Sequence, residues 1–210
     1  DLCVAILSGD GLLVNSYTEL AYCKPAFIPD LLKTLNRVAM EVCEGQQLDM
    51  DYEHTDRITM LQYLEMIRLK TSVLLGGALQ LGAILAEASE IEQQLIYEFG
   101  ENIGIAFQLQ DDVLDAYGDP ETFGKQVGGD ILINKKTYLL VKLMEVIEEQ
   151  DKSLLETILA SNEENNNNKI SEILNLYAKY NIKSLADRLK DEYTQKAFDK
   201  LSLIDIPNHK

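Results

Sequence analysis

The chain has 210 residues, 46% of them hydrophobic, and 35 acidic residues against 19 basic ones give a formal net charge of −16. A chain of this size and apolar content can bury a substantial core, so we predict a single domain over residues 1–210. The acidic excess argues against a nucleic-acid partner, which would need many cationic contacts to phosphates. It also opposes binding to an anionic membrane surface.

Cysteine usage and hydropathy narrow the possible class of protein further. Cys3, Cys23 and Cys43 show no CxxC pairing, and the chain has only two histidines. Both observations argue against a zinc or disulfide framework and predict a reducing, cytoplasmic location. The longest apolar stretch, Val73 to Ala86, has the length of a buried core helix, so we predict no stable membrane insertion.

Apolar residues recur at three- and four-residue spacing over long stretches, and we find no alternating run bounded by turns. This periodicity predicts an all-α fold. The helices predicted in the first half cover about residues 1–22, 30–50 and 59–87. Pro25 and Pro29 interrupt the pattern between the first two, because proline lacks the backbone donor that a helix interior needs. We predict a kink or break in the third near Gly76 and Gly77.

The next helix has a clear start signal. Ser89 followed by Glu92 is the pattern of a capping box, in which each side chain accepts from the other residue's backbone N–H. We predict a helix from this point to about Tyr117, followed by a glycine-rich loop to Gly129. Residues 162–169 form a polar, Asn-rich segment that we predict to be a loop between two late helices.

A polar stripe crosses the helix that ends near Tyr117. Gln108, Asp111, Asp112 and Asp115 lie at offsets of 0, 3, 4 and 7 in otherwise apolar surroundings. At 3.6 residues per turn they fall within an arc of roughly 100°. Three carboxylates gathered on one mostly buried helix repel one another unless a cation lies between them.

Oxygen-only ligands favour a hard cation such as Mg2+ over zinc or copper, because no histidine or cysteine lies nearby. Mg2+ usually keeps several waters and bridges to substrate phosphates, so the stripe indicates a diphosphate clamp rather than a closed structural cage. The alternative is that Asp111, Asp112 and Asp115 face solvent on a surface helix and bind nothing.

With the string FQLQDDVLDAYGD, the chain closely resembles the trans-isoprenyl diphosphate synthases, the farnesyl and geranylgeranyl diphosphate synthase group. Four further segments agree in order and spacing: AILSGDGLL, GQQLD, LKT and GKQVGGDILINKKT. The resemblance covers about residues 1–203 and implies an isoprenoid synthase-type helical bundle with a central cavity. It also implies that the chain is the C-terminal two-thirds of such a domain, truncated at the N-terminus.

The resemblance assigns roles to particular residues. Asp111, Asp112 and Asp115 would coordinate Mg2+, and the diphosphate would contact Lys70, Lys125 and Lys135. Lys70, Thr71 and Gln108 would be the catalytic residues, with Thr71 and Gln108 lining the carbocation. Gln46 and Asp49 would form a second layer that reaches metal-bound water, and a helix-terminal hydrogen-bonding role for this pair stays open.

The implied reaction is the Mg2+-dependent condensation of isopentenyl diphosphate with an allylic diphosphate, giving a short-chain trans product such as farnesyl or geranylgeranyl diphosphate. A homodimer is also implied. The family's first aspartate-rich motif would precede AILSGD, and without it we expect the chain alone to be inactive. Two alternatives are a non-catalytic regulatory subunit of a heteromeric prenyltransferase and a terpene cyclase, which would carry an Asn-Ser-Glu type metal motif instead of DDxxD.

Overall fold

The computed structural model describes residues 2–119, 127–161 and 166–205. The helices are α1 (Leu2–Ala21), α2 (Ile28–Glu53), α3 (Met60–Ile67), a π-helical turn (Arg68–Ser72), α4 (Val73–Leu85), α5 (Glu90–Tyr117), α6 (Gly129–Leu132), α7 (Tyr138–Val146), α8 (Glu149–Ala160), α9 (Asn166–Lys179) and α10 (Ile182–Leu201). These residues contain no β-strand, so the predicted all-α fold is confirmed.

Local sequence signals set several helix ends. Ser89 and Glu92 form the predicted capping box, with the Glu92 carboxylate accepting from the Ser89 backbone N–H at 2.8 Å. Thr59 and Gln62 make the same arrangement at the start of α3. Pro29 lies in the first turn of α2, where its missing N–H has no helical partner to lose.

Two predicted boundaries need correction. The irregularity in the third predicted helix lies at Arg68–Ser72 rather than near Gly76 and Gly77, which belong to the continuous helix α4. Helix α9 already begins at Asn166, so the predicted loop over residues 162–169 extends too far at its C-terminal end. The rest of that loop, residues 162–165, and residues 120–126 of the glycine-rich loop lie outside the described residues.

Helices α4 and α5 pack antiparallel at very short range. A Cβ atom added to Gly100 would lie 2.7 Å from the Gly76 Cα, and one added to Gly104 would lie 2.5 Å from the Ser72 Cα. Glycine at these positions allows the two backbones to approach more closely than any other residue would permit. Gly76 therefore serves close packing of two helices.

Helix α5 is the centre of the fold, since it packs along α4 and along α10. Its buried side chains join a core formed with α3, α7, α8, α9 and α10, and the largest fully enclosed members include Tyr63, Leu109, Leu139, Leu143, Ile173 and Tyr177. The C-terminal end of α5 lies beside the start of α7 and the short helix α6. This end of the bundle carries the polar stripe.

Candidate active site

Asp111 and Asp115 lie at the C-terminal end of α5, and both side chains are half-buried. The Asp115 carboxylate accepts from the backbone N–H of Asp130 at 3.0 Å, and the Asp115 carbonyl oxygen accepts from Gly128 N–H at 2.6 Å. Gly128 has φ +81°, a conformation that favours glycine, so its identity helps the chain to return against α5. The end of α5 and the start of α6 are thereby joined.

Asp112 has a different environment from its two neighbours. It is only 4% exposed, and its Oδ2 accepts from the Tyr63 hydroxyl at 2.6 Å and from the Tyr138 backbone N–H at 2.7 Å. Its Oδ1 accepts from the Gln108 amide at 3.1 Å. Burial raises the pKa of Asp112 to about 6 even though these three hydrogen bonds lower it. Asp112 therefore ties α3, α5 and the start of α7 together.

Lys70 extends from the π-helical turn to α2. Its Nζ lies 2.5 Å from the Asp49 Oδ2, and both side chains are partly buried. A Cβ added to Gly45 in α2 would lie 2.2 Å from the Lys70 backbone nitrogen, so α2 and the turn are in direct backbone contact. This close approach brings the Lys70 amine within reach of Asp49.

Lys135 lies just before α7 and pairs with Asp130, its Nζ 3.1 Å from the Asp130 Oδ1. Burial alone would lower the pKa of Lys135, but the charge of Asp130, with further contributions from Asp112 and Asp49, raises it. The electrostatic influence of three carboxylates from three different elements shows that Lys135 lies among them. A lysine therefore lies beside the carboxylates despite the acidic total charge.

Thr71 and Gln108 are also brought together. The Thr71 hydroxyl donates to the Gln108 Oε1 at 3.3 Å, and the Gln108 Nε2 donates in turn to Asp112. The chain of contacts runs from the π-helical turn through Gln108 to the buried carboxylate. Six of the residues predicted from sequence, namely Lys70, Thr71, Gln108, Asp111, Asp112 and Asp115, thus lie around one end of α5, with Asp49 and Lys135 next to them.

The carboxylates present suit a hard divalent cation at Asp111 and Asp115 better than at Asp112. No described residue donates a hydrogen bond to the Asp111 carboxylate, whereas both Asp112 oxygens already accept from protein donors. Burial raises the pKa of Asp115, and the nearby Asp130 and Asp111 carboxylates add to that effect. Across residues 2–119, 127–161 and 166–205, no group of three or more His, Cys, Asp or Glu side chains is arranged to hold a metal ion by itself. An ion here would need ligands from a bound substrate or water, as the clamp hypothesis expects.

Two predicted residues are not placed in the site by any contact. Lys125 lies outside the described residues, and the Gln46 side chain is exposed. Sequence reasoning also missed two members of the site, Asp130 and Tyr63. Asp130 could have been found, because it lies inside the GGDILINKKT segment between a glycine pair and two lysines. Tyr63 carries no local signal.

Lys136 belongs to a different environment from Lys135. It lines a separate cavity of about 550 Å³ bordered by the segment after α2 and by α7 and α8. Burial lowers the pKa of Lys136, and its Nζ donates to the Asn134 carbonyl oxygen at 3.4 Å. The two adjacent lysines therefore have separate surroundings, and only Lys135 contacts the carboxylate site.

Comparison with known proteins identifies the family. A family model described as polyprenyl synthetase matches residues 1–177. The chain belongs to the polyprenyl synthetase family. Members of this family include the trans-isoprenyl diphosphate synthases that the motifs resemble, so that recognition is confirmed.

Several related proteins match this family member closely. A short chain isoprenyl diphosphate synthase from Methanocaldococcus jannaschii is 39% identical over 159 residues, which is 75% of this chain and 48% of the relative. A crystal structure of a geranylgeranyl pyrophosphate synthase superposes with a TM-score of 0.92 at 43% identity, covering 98% of this chain and 64% of that one. A polyprenyl synthase from Caulobacter crescentus, solved with calcium and isoprenyl diphosphate, gives a TM-score of 0.70 at 28% identity over 83% of this chain and 53% of that one.

The chain thus spans about half to two-thirds of the length of these proteins. The predicted isoprenoid synthase-type fold is confirmed by the close superposition on the geranylgeranyl pyrophosphate synthase. Within the described part of the chain, no helix has the length and hydropathy that crossing a bilayer would require.

Proposed function

We propose that this end of α5 binds an allylic diphosphate through Mg2+ and that the protein transfers its prenyl group to isopentenyl diphosphate. One observation carries the proposal: at the end of α5 that bears the half-buried carboxylates of Asp111 and Asp115, two lysine amines on separate elements, Lys70 and Lys135, are held by Asp49 and Asp130. A diphosphate needs both kinds of group, because lysines contact its oxygens directly and carboxylates reach it only through a metal. The Caulobacter crescentus relative, solved with calcium and isoprenyl diphosphate, supports this pairing.

The lysines would hold the diphosphate. Lys70 and Lys135 are already kept in place by Asp49 and Asp130, so little side-chain freedom is left to lose when a phosphate oxygen arrives. Mg2+ held by Asp111 and Asp115, when bound, would stabilise the charge that develops on the departing diphosphate. Asp112 as a direct ligand stays a prediction, and its contacts favour a supporting role in which it holds α7 and Lys135 in position.

The surface next to the site suits a hydrocarbon tail. Phe107, one turn before Asp111, is 60% exposed, and Leu74, three residues after Thr71, is 54% exposed. Both are large apolar side chains on the packed pair α4 and α5. A substrate with a diphosphate head and a prenyl tail needs polar and apolar surfaces side by side.

We infer that Thr71 and Gln108, whose side chains meet at 3.3 Å beside Asp112, line the position where the carbon–oxygen bond would break. Their oxygens are suited to stabilise positive charge on the allylic carbon, because both carry lone pairs and no net charge. The allylic cation would then be attacked by the double bond of isopentenyl diphosphate, and loss of a proton would give the elongated trans product. Short-chain products are proposed because the Methanocaldococcus jannaschii relative is named for them.

We also propose a homodimeric, cytoplasmic protein. The free cysteines Cys23 and Cys43 fit a reducing compartment. Helix α1 has no buried residue and presents exposed Leu, Val and Ile side chains, which suits an interface. Light scattering during size-exclusion chromatography tests the dimer, and a monomer at micromolar concentration would contradict it.

Turnover is the test of the proposed reaction. The chain is incubated with isopentenyl diphosphate, allylic diphosphates of increasing length and Mg2+, both alone and joined to a first aspartate-rich segment, and products are separated by chromatography. We expect elongated trans products only from the joined form, and none after chelation of the metal or with Asp111→Ala. Metal-independent products, or full turnover by Asp111→Ala, would contradict the metal assignment.

A further inference from the structure

The π-helical turn Arg68–Ser72 carries both Lys70 and Thr71 into the site. Its closing N–H, from Val73, reaches the Arg68 carbonyl oxygen five residues earlier, so the turn holds one residue more than an α-helical turn. The fully buried Ser72 hydroxyl donates to the Ile67 carbonyl oxygen at 3.3 Å, also five residues back. An extra residue rotates the following side chains by roughly 100° relative to an uninterrupted helix.

The turn is held between two other helices. Gly45 of α2 faces the backbone of Leu69 and Lys70 on one side, and Gly104 of α5 faces Ser72 on the other, each with no space for a Cβ. These contacts fix how close the turn lies to α2 and α5. They supply no side-chain hydrogen bond or ion pair to the turn, because a glycine has no side chain.

Arg68 supplies a directional contact at the start of the turn. Its Nε and Nη2 donate to the two carboxylate oxygens of Glu65 at 2.8 and 2.7 Å, and its Nη1 donates to the Glu101 Oε1 at 3.0 Å. The Arg68 and Glu101 side chains are 29% and 21% exposed, so this pair is better shielded than a surface ion pair. A planar guanidinium held on three oxygens leaves few alternative orientations.

Glu101 lies on the same face of α5 as the site. Gly104 follows Glu101 by three residues and Gln108 follows it by seven. The three residues therefore form one stripe along the helix. The Arg68–Glu101 contact therefore relates the rotation of the turn to the stripe that ends in Gln108 and Asp112. Among the described residues, the side-chain partners of Arg68 are Glu65 and Glu101 and do not include Asp111, Asp115 or Lys135.

We propose that Arg68 and Glu101 are positioning residues, whose ion pair sets the orientation of the π-helical turn so that Lys70 meets Asp49 and Thr71 meets Gln108. The geometric part stands on the contacts above. Its consequence for diphosphate binding rests on the proposed function. The competing explanation is that the pair only adds general stability, as many ion pairs between helices do.

The test compares Glu101→Gln with Glu98→Gln. Glu98 lies on the same helix and pairs across to α10, its Oε2 2.6 Å from the Lys200 Nζ, so its variant removes an interhelical ion pair away from the turn. Two quantities are measured for each protein: amide hydrogen exchange of a peptide covering residues 68–73, and Mg2+-dependent binding of a bisphosphonate by calorimetry. Arg68→Gln and the double variant Arg68→Gln/Glu101→Gln complete a mutant cycle.

For Glu101→Gln we expect exchange at residues 68–73 to accelerate about tenfold and the bisphosphonate to bind about tenfold more weakly. Glu98→Gln should leave both within about twofold of wild type, and the double variant should be no worse than either single one. Unchanged exchange in Glu101→Gln, or an equal effect of Glu98→Gln, would overturn the inference. If wild type binds no bisphosphonate, the proposed function fails, and the exchange data still decide the geometric claim.

Discussion

Helices α1 and α5 are both long and rich in apolar residues, yet α5 is packed inside the protein and α1 is exposed. Helix α5 buries nine of its 28 residues and packs against α4 and α10. Helix α1 has 20 residues and buries none, although it contains Leu2, Val4, Ile6 and Leu7. Apolar content therefore does not decide burial by itself.

The glycines explain much of the difference. In α5, Gly100 and Gly104 allow contact with the backbones of Gly76 and Ser72, whereas Gly9 and Gly11 of α1 have nothing within 4 Å of a Cβ position. Helix α5 packs closely on its neighbours, whereas the main contact of α1 within the described residues is with α2. The site thus lies on the helix that the rest of the described chain holds most firmly.

The largest expected effect comes from truncating matched leucines in the two helices. Leu109 in α5 is 0% exposed and Leu7 in α1 is 69% exposed. Leu109→Ala should lower the free energy of unfolding by about 3 to 5 kcal/mol, because it leaves a cavity in the core. Leu7→Ala should change the free energy of unfolding of a single chain by less than about 0.5 kcal/mol, measured at protein concentrations low enough to separate the dimer. Urea unfolding followed by circular dichroism measures both, and similar values would contradict the comparison.

Replacing a glycine with alanine should change the free energy of unfolding in opposite directions in the two helices. Gly104→Ala would place its Cβ 2.5 Å from the Ser72 Cα, so we expect a loss of about 2 to 3 kcal/mol. Gly11→Ala meets no neighbour and should stabilise the protein by up to about 1 kcal/mol through helix propensity. The same unfolding assay decides the matter, and a stable Gly104→Ala variant would show that α4 and α5 can separate without cost.

A smaller effect is expected at a helix cap. Thr59 starts α3, which packs on α5, and its hydroxyl accepts from the Gln62 backbone N–H at 3.2 Å. Thr59→Ala should lower the free energy of unfolding by about 1 kcal/mol. Ser8→Ala is the control in α1, where the hydroxyl bonds only to the Val4 carbonyl oxygen one turn back, and it should have no destabilising effect. Equal losses in the two unfolding curves would argue against a specific cap.

The smallest effect concerns pH. The hydrogen bonds from Arg68 lower the pKa of Glu65 from 4.5, so this carboxylate stabilises the folded state above that pH and loses the contribution as the pH falls through its lowered folded-state value. Because Glu65 is partly exposed, Glu65→Gln should lower the free energy of unfolding by less than about 1 kcal/mol near pH 7. The difference from wild type should shrink as the pH is lowered from about 5 to about 3. A difference that grows on acidification would reverse the assigned sign.

Sequence reasoning succeeded where the signal is local. The capping box at Ser89 and Glu92 and the end of α5 at Tyr117 agree with the structure, because caps and periodicity depend on nearby residues. The predicted kink near Gly76 and Gly77 was wrong and the π-helical turn at Arg68–Ser72 was missed, since one extra residue hardly disturbs a 3.6-residue pattern. What holds that turn, Gly45 and Gly104, comes from two other helices.

The sequence predicted which residues belong to the candidate site better than it predicted how they are arranged. Helical spacing gathered Asp111, Asp112 and Asp115 on one stripe, but a stripe roughly 100° wide can face solvent at one edge and the core at the other. Asp112 lies at the core edge, because its partners Tyr63 and Tyr138 are 49 and 26 residues away in sequence. Contacts at such separations leave no periodic trace.

Calorimetry of bisphosphonate binding to the chain with and without Mg2+ tests the central claim most directly. Asp111→Asn on α5 is compared with Asp10→Asn on α1, an acidic residue of the helix that carries no part of the site. Wild type and Asp10→Asn should bind only with Mg2+, and Asp111→Asn should bind at least about tenfold more weakly. Binding that ignores Mg2+, or Asp111→Asn binding as tightly as wild type, would contradict the account.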